Sequence, residues 1–172
     1  VPGSRITREV DGVIITKSGQ EVGVAATKTF MTQMPALYAL GTHLAFNSGS
    51  LDHPQYKLWE SEIRRIPSKI TQVLNHSEAI KALVPNFVTA KSVFFVGRNI
   101  NYPLALEGAL KLKEISYIHA EGYPAGELKH GPLALLSEET PVVAIAMQDH
   151  TYSKLLSNIE EVSARKSPVI TL

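Results

Sequence analysis

The chain has 172 residues, 44% of them hydrophobic, and a formal net charge of +1. That is enough apolar material for a buried core, and the charge balance gives no electrostatic case for nucleic acid or an anionic membrane as a partner. Cysteine is absent, which excludes a disulfide framework, a thiolate zinc site and a cysteine nucleophile. The apolar runs are too short or too interrupted to span a bilayer and no basic-then-apolar leader opens the sequence, so a cytoplasmic location is expected.

In chain order, residues 11–16 (DGVIIT) read as a short buried strand and residues 17–23 as a polar, glycine-containing loop. From about Ala25 to Phe46 the residues Phe30, Met34, Leu37, Leu40 and Leu44 recur at helical spacing, with Pro35 expected to kink the helix by removing a backbone donor. Residues 47–54 (NSGSLDHP) are rich in turn formers and predict a linker, dividing the chain into 1–46, 47–54 and 55–172. Ser48–Gly49–Ser50 resembles an anion nest, but its context favours a plain linker. Residues 55–74 and 78–87 then read as two helices with a stripe of Leu58, Ile63, Ile66, Ile70 and Val73, their regularity limited by Pro67 and Pro85. Trp59, alone on the first of them, is expected in a core or an interface.

Residues 92–97 (SVFFVG) form a continuous apolar run closed by glycine, as in a central parallel strand covered on both faces. The main helix follows, with Asn101 expected as its N-cap and Pro103 near its start. Residues 141–147 predict a second buried strand, 152–166 another helix and 168–172 a third strand. This alternation predicts an α/β protein with a doubly wound parallel sheet and right-handed crossovers.

The chemistry concentrates between residues 105 and 132. Glu107, Lys111 and Glu114 fall at i, i+4 and i+7 and share one helix face. Such a stripe is either a solvated set of ion pairs, worth a few tenths of a kcal/mol each, or an acid–base group held on a rigid element. Glu114, between Leu112 and Ile115 near the helix end, is expected to be partly buried. A Gly/Pro-punctuated loop should carry His130, bracketed by Pro124, Gly126, Gly131 and Pro132; histidine suits proton transfer near neutrality but is also common as a plain polar surface residue. His43, His53, His76, His119 and His150 show no metal-ligand spacing, so no metal is expected, and a structural role for His119 and Glu121 is as well supported as a chemical one. Spacing alone leaves the function undecided.

The run from 105 to 132, together with EVGVAATKTFMTQ at 21–33, closely resembles the glucosamine-6-phosphate synthase family, the isomerising glutamine:fructose-6-phosphate aminotransferases, in their isomerase half of two tandem sugar-isomerase (SIS) domains. The resemblance implies the SIS fold, with the end of a first SIS domain in 1–46 and most of a second in 55–172. It also implies that Glu114 moves a proton between C1 and C2 of a sugar imine, that His130 assists opening of cyclic fructose 6-phosphate, that Lys111 holds the charge and orientation of Glu114, and that the backbone at Val24 approaches the sugar. It implies a homodimer in which the His130 loop serves the neighbouring subunit, and no diffusible cofactor, because the imine forms on a protein lysine. The family's serine- and threonine-rich phosphate loop, its Schiff-base lysine and its cysteine-dependent glutaminase domain have no counterpart in these residues, so an internal fragment is expected, with an unpaired strand edge near Val169 to Leu172. Relatives usually carry glycine where Asn99 stands after Gly97 and Arg98; asparagine tolerates a left-handed turn. A phosphosugar-sensing SIS module, or a related amino-sugar deaminase or isomerase, are the alternative readings.

Overall fold

The computed structural model describes residues 2–172, which divide into two compact units, one ending at Ser77 and the other spanning Glu78–Leu172. The first unit holds a single turn α1 (Ile6–Glu9) and two long helices, α2 (Lys28–Asn47) and α3 (His53–Leu74), with Pro35 and Pro67 inside them. α2 and α3 form a hairpin, locked by the stacked rings of Tyr38 and Trp59 (6.4 Å between centroids) and by Phe46 against Tyr56 (4.5 Å). Trp59 is 45% exposed, so its ring is an edge of this contact rather than a buried core residue.

Residues 47–54, expected as a linker, are a tight turn followed by the first residues of α3. Asp52 and Gln55 make a reciprocal capping box, the Asp52 carboxylate accepting from the Gln55 N–H at 2.8 Å and the Gln55 side chain accepting from the Asp52 N–H at 3.0 Å. The break in contacts comes later, between Ser77 and Glu78. The strand expected at 11–16 is not formed. Val13, Ile14 and Ile15 run without regular structure and are 46%, 58% and 44% exposed, because no neighbouring strand among the described residues of this unit accepts their backbone hydrogen bonds.

The second unit opens with two short helices, α4 (Ser77–Lys81) and α5 (Pro85–Val88), where a single helix was expected over 78–87. There follow β1 (Ser92–Gly97), α6 (Asn101–Ser116), β2 (His119–Pro124), two 3-10 turns (Ala125–His130 and Pro132–Leu135), β3 (Val142–Ala144), α7 (Tyr152–Ser163) and β4 (Val169–Thr171). The strands lie in the order β2-β1-β3-β4, every pairing parallel. The chain builds outward from β1 to β2, then returns to the other side of β1 for β3 and β4. This is the predicted doubly wound α/β sheet, with its topological switch between β1 and β3.

Strand periodicity sorts the core into two layers. Val93 and Phe95 face Ala105 and Ala109 of α6, whereas Phe94 and Val96 face Leu155 and Val162 of α7 together with Ala125 and Leu128 of the first 3-10 turn. β2 was not foreseen; its sequence HAEGYP was expected as loop. Two small residues, Ala120 and Gly122, let α6 lie directly over it: a Cβ on Gly122 would come within 2.8 Å of the Leu106 Cα. Gly122→Val is therefore expected to destabilise the unit by about 1–3 kcal/mol through overpacking, read as a lower midpoint in urea with an unchanged slope. Gly97 is similarly tight, with the Asn101 carbonyl oxygen 2.3 Å from where its Cβ would sit, so β1 can turn into α6 only through glycine.

Candidate active site

α6 exists because Leu, Ala and Lys dominate its sequence, and it ends at Tyr117, which adopts the left-handed conformation (φ 61°). Its buried face is Ala105 and Ala109; the stripe of Glu107, Lys111 and Glu114 lies beside it. The Lys111 ammonium donates to Glu114 Oε2 at 2.7 Å and reaches Glu107 Oε1 at 3.3 Å, with the three side chains only 21–25% exposed. Glu114 is partly buried as expected. Hydrogen bonding to Glu114 is the main cause holding the Lys111 pKa above its ordinary value, so the lysine keeps its charge. Other ion pairs of the chain, such as Arg5 with Glu9 and Lys81 with Glu78, are far more exposed. The α6 triad thus combines partial burial with one cation shared between two carboxylates.

His130 closes the first 3-10 turn and is exposed. It sits in an ordered connection rather than the expected loop: Leu128, two residues earlier, is fully buried against the α7 face of the sheet. α6 covers the opposite face. No hydrogen bond or ion pair among the described residues joins His130 to the Glu107–Lys111–Glu114 cluster, and the sheet stands between the two elements. The geometry of one chain therefore gathers Lys111 and Glu114 but leaves His130 apart.

Val24 belongs to the first unit and is 88% exposed, in a loop that precedes α2 by four residues. The backbone groups of residues 22–26 find no hydrogen-bond partner among the described residues. Sequence reasoning passed over the residue that holds this loop, Glu21. Its carboxylate accepts from the N–H and hydroxyl of Thr29 (2.9 and 2.8 Å) and of Thr27 (3.2 and 3.0 Å). The available signal was an acid six and eight residues before two threonines at a helix start. These bonds, Thr29 N–H foremost, lower the Glu21 pKa from 4.5 to about 2. Because the folded value is depressed, its contribution is complete above the ordinary pKa of 4.5 and is lost as pH falls towards 2. Amide exchange at Thr27 and Thr29 is expected to speed up across that acid window, beyond the intrinsic pH dependence of exchange.

At the switch point, Asn99 adopts the left-handed conformation (φ 50°), as its side chain permits, and its amide lies 3.2 Å from the His150 ring nitrogen. Asn101, expected as the N-cap, is instead the first helical residue and donates to Asp149 Oδ2 at 2.9 Å, while Arg98 donates to Asn158 at 2.6 Å. The polar groups around this crevice are thus satisfied by one another. On β2, His119 and Tyr123 both engage Glu121 in a local chain of contacts. Among the described residues no helix is long and apolar enough to cross a membrane.

The second unit is thus a doubly wound parallel α/β unit with a Glu–Lys–Glu cluster on the helix after its first strand. The SIS domain model matches residues 86–172, and the chain belongs to the SIS domain family. It is 56% identical, over its whole length, to a glutamine–fructose-6-phosphate aminotransferase (isomerizing) of Methanosarcina mazei, and 51% identical to the Aquifex aeolicus protein of the same name. It spans 28% of the length of each. Among solved structures, the C-terminal domain of glucosamine-fructose-6-phosphate aminotransferase from Francisella tularensis matches with a TM-score of 0.97 and 44% identity, covering 99% of this chain and 48% of that one. A glucosamine-6-phosphate deaminase from Thermotoga maritima, 20% identical with a TM-score of 0.75 over 98% of this chain and 49% of that one, shares the fold.

Proposed function

We propose that this chain is part of the isomerase region of a glutamine–fructose-6-phosphate aminotransferase (isomerizing), a transferase that makes glucosamine 6-phosphate from fructose 6-phosphate and glutamine-derived ammonia. The observation that carries this reading is the partly buried α6 triad, in which Lys111 donates to Glu114 at 2.7 Å, within a chain 56% identical throughout to a protein of that name.

In this reading Glu114 is the base that takes a proton from C1 of the sugar imine and returns it at C2, and Lys111 fixes the rotamer and charge of the carboxylate. His130 assists opening of the cyclic sugar. By its resemblance to the family, His130 is assigned to the Glu114 of a neighbouring subunit in a homodimer; the placement of α6 and the Leu128 turn on opposite faces of the sheet supports this assignment. The Val24 backbone approaches the sugar. The imine lysine, the phosphate loop and the glutaminase domain belong to other parts of the parent polypeptide, residues 1–46 to the end of its first SIS domain and 55–172 to its second. We place the protein in the cytoplasm.

The test is turnover by the parent polypeptide. Full-length protein is expected to form glucosamine 6-phosphate from fructose 6-phosphate and glutamine, whereas the 172-residue chain alone is expected to form none. Tight binding of fructose 6-phosphate by the parent without turnover would replace this reading with the sensor reading.

A further inference from the structure

We propose that Glu21 is a positioning residue for the sugar phosphate, its carboxylate clamping the loop that presents the Val24 backbone; the inference rests on the isomerase reading above. Among the described residues, residues 22–26 have no partner for their backbone N–H and C=O groups, and their outer surface is dominated by Val22 and Val24, each 88% exposed. A loop of this kind, with no backbone pairing of its own, would sample many conformations. Glu21 limits that freedom. One oxygen accepts from the Thr27 hydroxyl at 3.0 Å and the other from the Thr29 N–H and hydroxyl at 2.9 and 2.8 Å. The carboxylate therefore joins both ends of the loop through a single side chain. Lys28 adds a second tie, its ammonium donating to the Gln20 carbonyl at 2.6 Å.

The clamp has a consequence for ligand binding that a simple helix cap lacks. Backbone groups at Val24 can meet a sugar only if the loop is held in one shape before the sugar arrives, and the entropy of ordering it is then not charged against binding. Glu21 touches no reacting atom, so its loss should weaken the bound substrate and transition state equally. That pattern raises KM and leaves kcat in place.

The experiment uses the full-length parent carrying Glu21→Ala or Glu21→Gln, with kcat, KM and the dissociation constant for fructose 6-phosphate measured beside the melting temperature. For Glu21→Ala the expected result is a KM and dissociation constant raised about tenfold or more with kcat within about twofold. Glu21→Gln, which keeps one acceptor oxygen, should fall between Ala and wild type. If Glu21→Ala does not fold, the Gln variant carries the same comparison. An unchanged dissociation constant in a folded variant whose Thr27 and Thr29 amides have lost protection overturns the proposal, leaving Glu21 as a cap only. So does a loss of kcat and melting temperature in step with KM. A wild-type parent that binds fructose 6-phosphate without turning it over overturns the isomerase reading instead, and the ratio of dissociation constants still decides the clamp. A wild-type parent that does neither overturns both.

Discussion

Replacing Glu114 with glutamine in the full-length parent is expected to slow conversion of fructose 6-phosphate to glucosamine 6-phosphate by roughly 10²–10⁴ while leaving sugar binding almost unchanged. Glutamine matches the shape of the carboxylate and still accepts the Lys111 hydrogen bond seen at 2.7 Å. What it lacks is basicity. With Glu114 as the proposed base, the step expected to be lost is proton removal from C1, so imine formation should survive, and trapping the imine with borohydride should label the variant as well as wild type. Glutamine hydrolysis, which rests on a separate domain in the proposed parent, should be untouched. The triad adds a control: Lys111→Met leaves Glu107 and Glu114 facing each other without their shared cation, and should impair isomerisation less than loss of the base itself. Near-normal isomerisation by Glu114→Gln would remove Glu114 from the base role.

The second large effect is expected from His130 and is best read in a mixture. His130→Ala should enter the reaction slowly with cyclic sugar and recover much of its rate with an analogue that cannot cyclise. If each site draws Glu114 from one subunit and His130 from the other, two crippled homodimers can repair one another. In a dimer of one Glu114→Gln and one His130→Ala subunit, one site carries both substitutions and the other carries neither. Random reassembly of equal amounts should therefore restore about a quarter of wild-type turnover, from the closed two-fold arithmetic of a dimer. No recovery in mass-verified mixed dimers would mean that Glu114 and His130 act within one chain, by a rearrangement of the connection around the sheet edge.

The parts of the fold that were legible in the sequence carry their own local signal. SVFFVG is apolar on both faces and closed by a glycine that the turn into α6 requires, and it is β1 to the residue. The α6 stripe could be placed from its spacing alone. β2 could not, because HAEGYP sends only Ala120 and, in part, Tyr123 into the core, and what makes it a strand is pairing with β1 from Ser92 to Gly97. The reverse error at DGVIIT has the same cause: an apolar β-branched run becomes a strand only where another strand meets it. At residues 47–54 the turn formers predict a linker, whereas Asp52 and Gln55 form the capping box that starts α3, a pairing at i and i+3 that the sequence also displays. The contact between Lys111 and Glu114 was readable because one helix brings them together. Glu21 was not, since its partners are gathered by a loop whose path the sequence does not state.

The two margins of the sheet are unequal. Along β2, one face carries His119, Glu121 and Tyr123, joined into a charged and hydrogen-bonded row, and polar rows of this kind discourage a further strand from docking. Along β4 the sequence is Val169, Ile170 and Thr171, followed by Leu172 at 63% exposure, with no charge to repel a neighbour. Growth of the sheet is thus directional. A further strand, from the same polypeptide or from another copy at high concentration, is expected to join beside β4 rather than at the β2 margin, over which α6 and Glu114 lie.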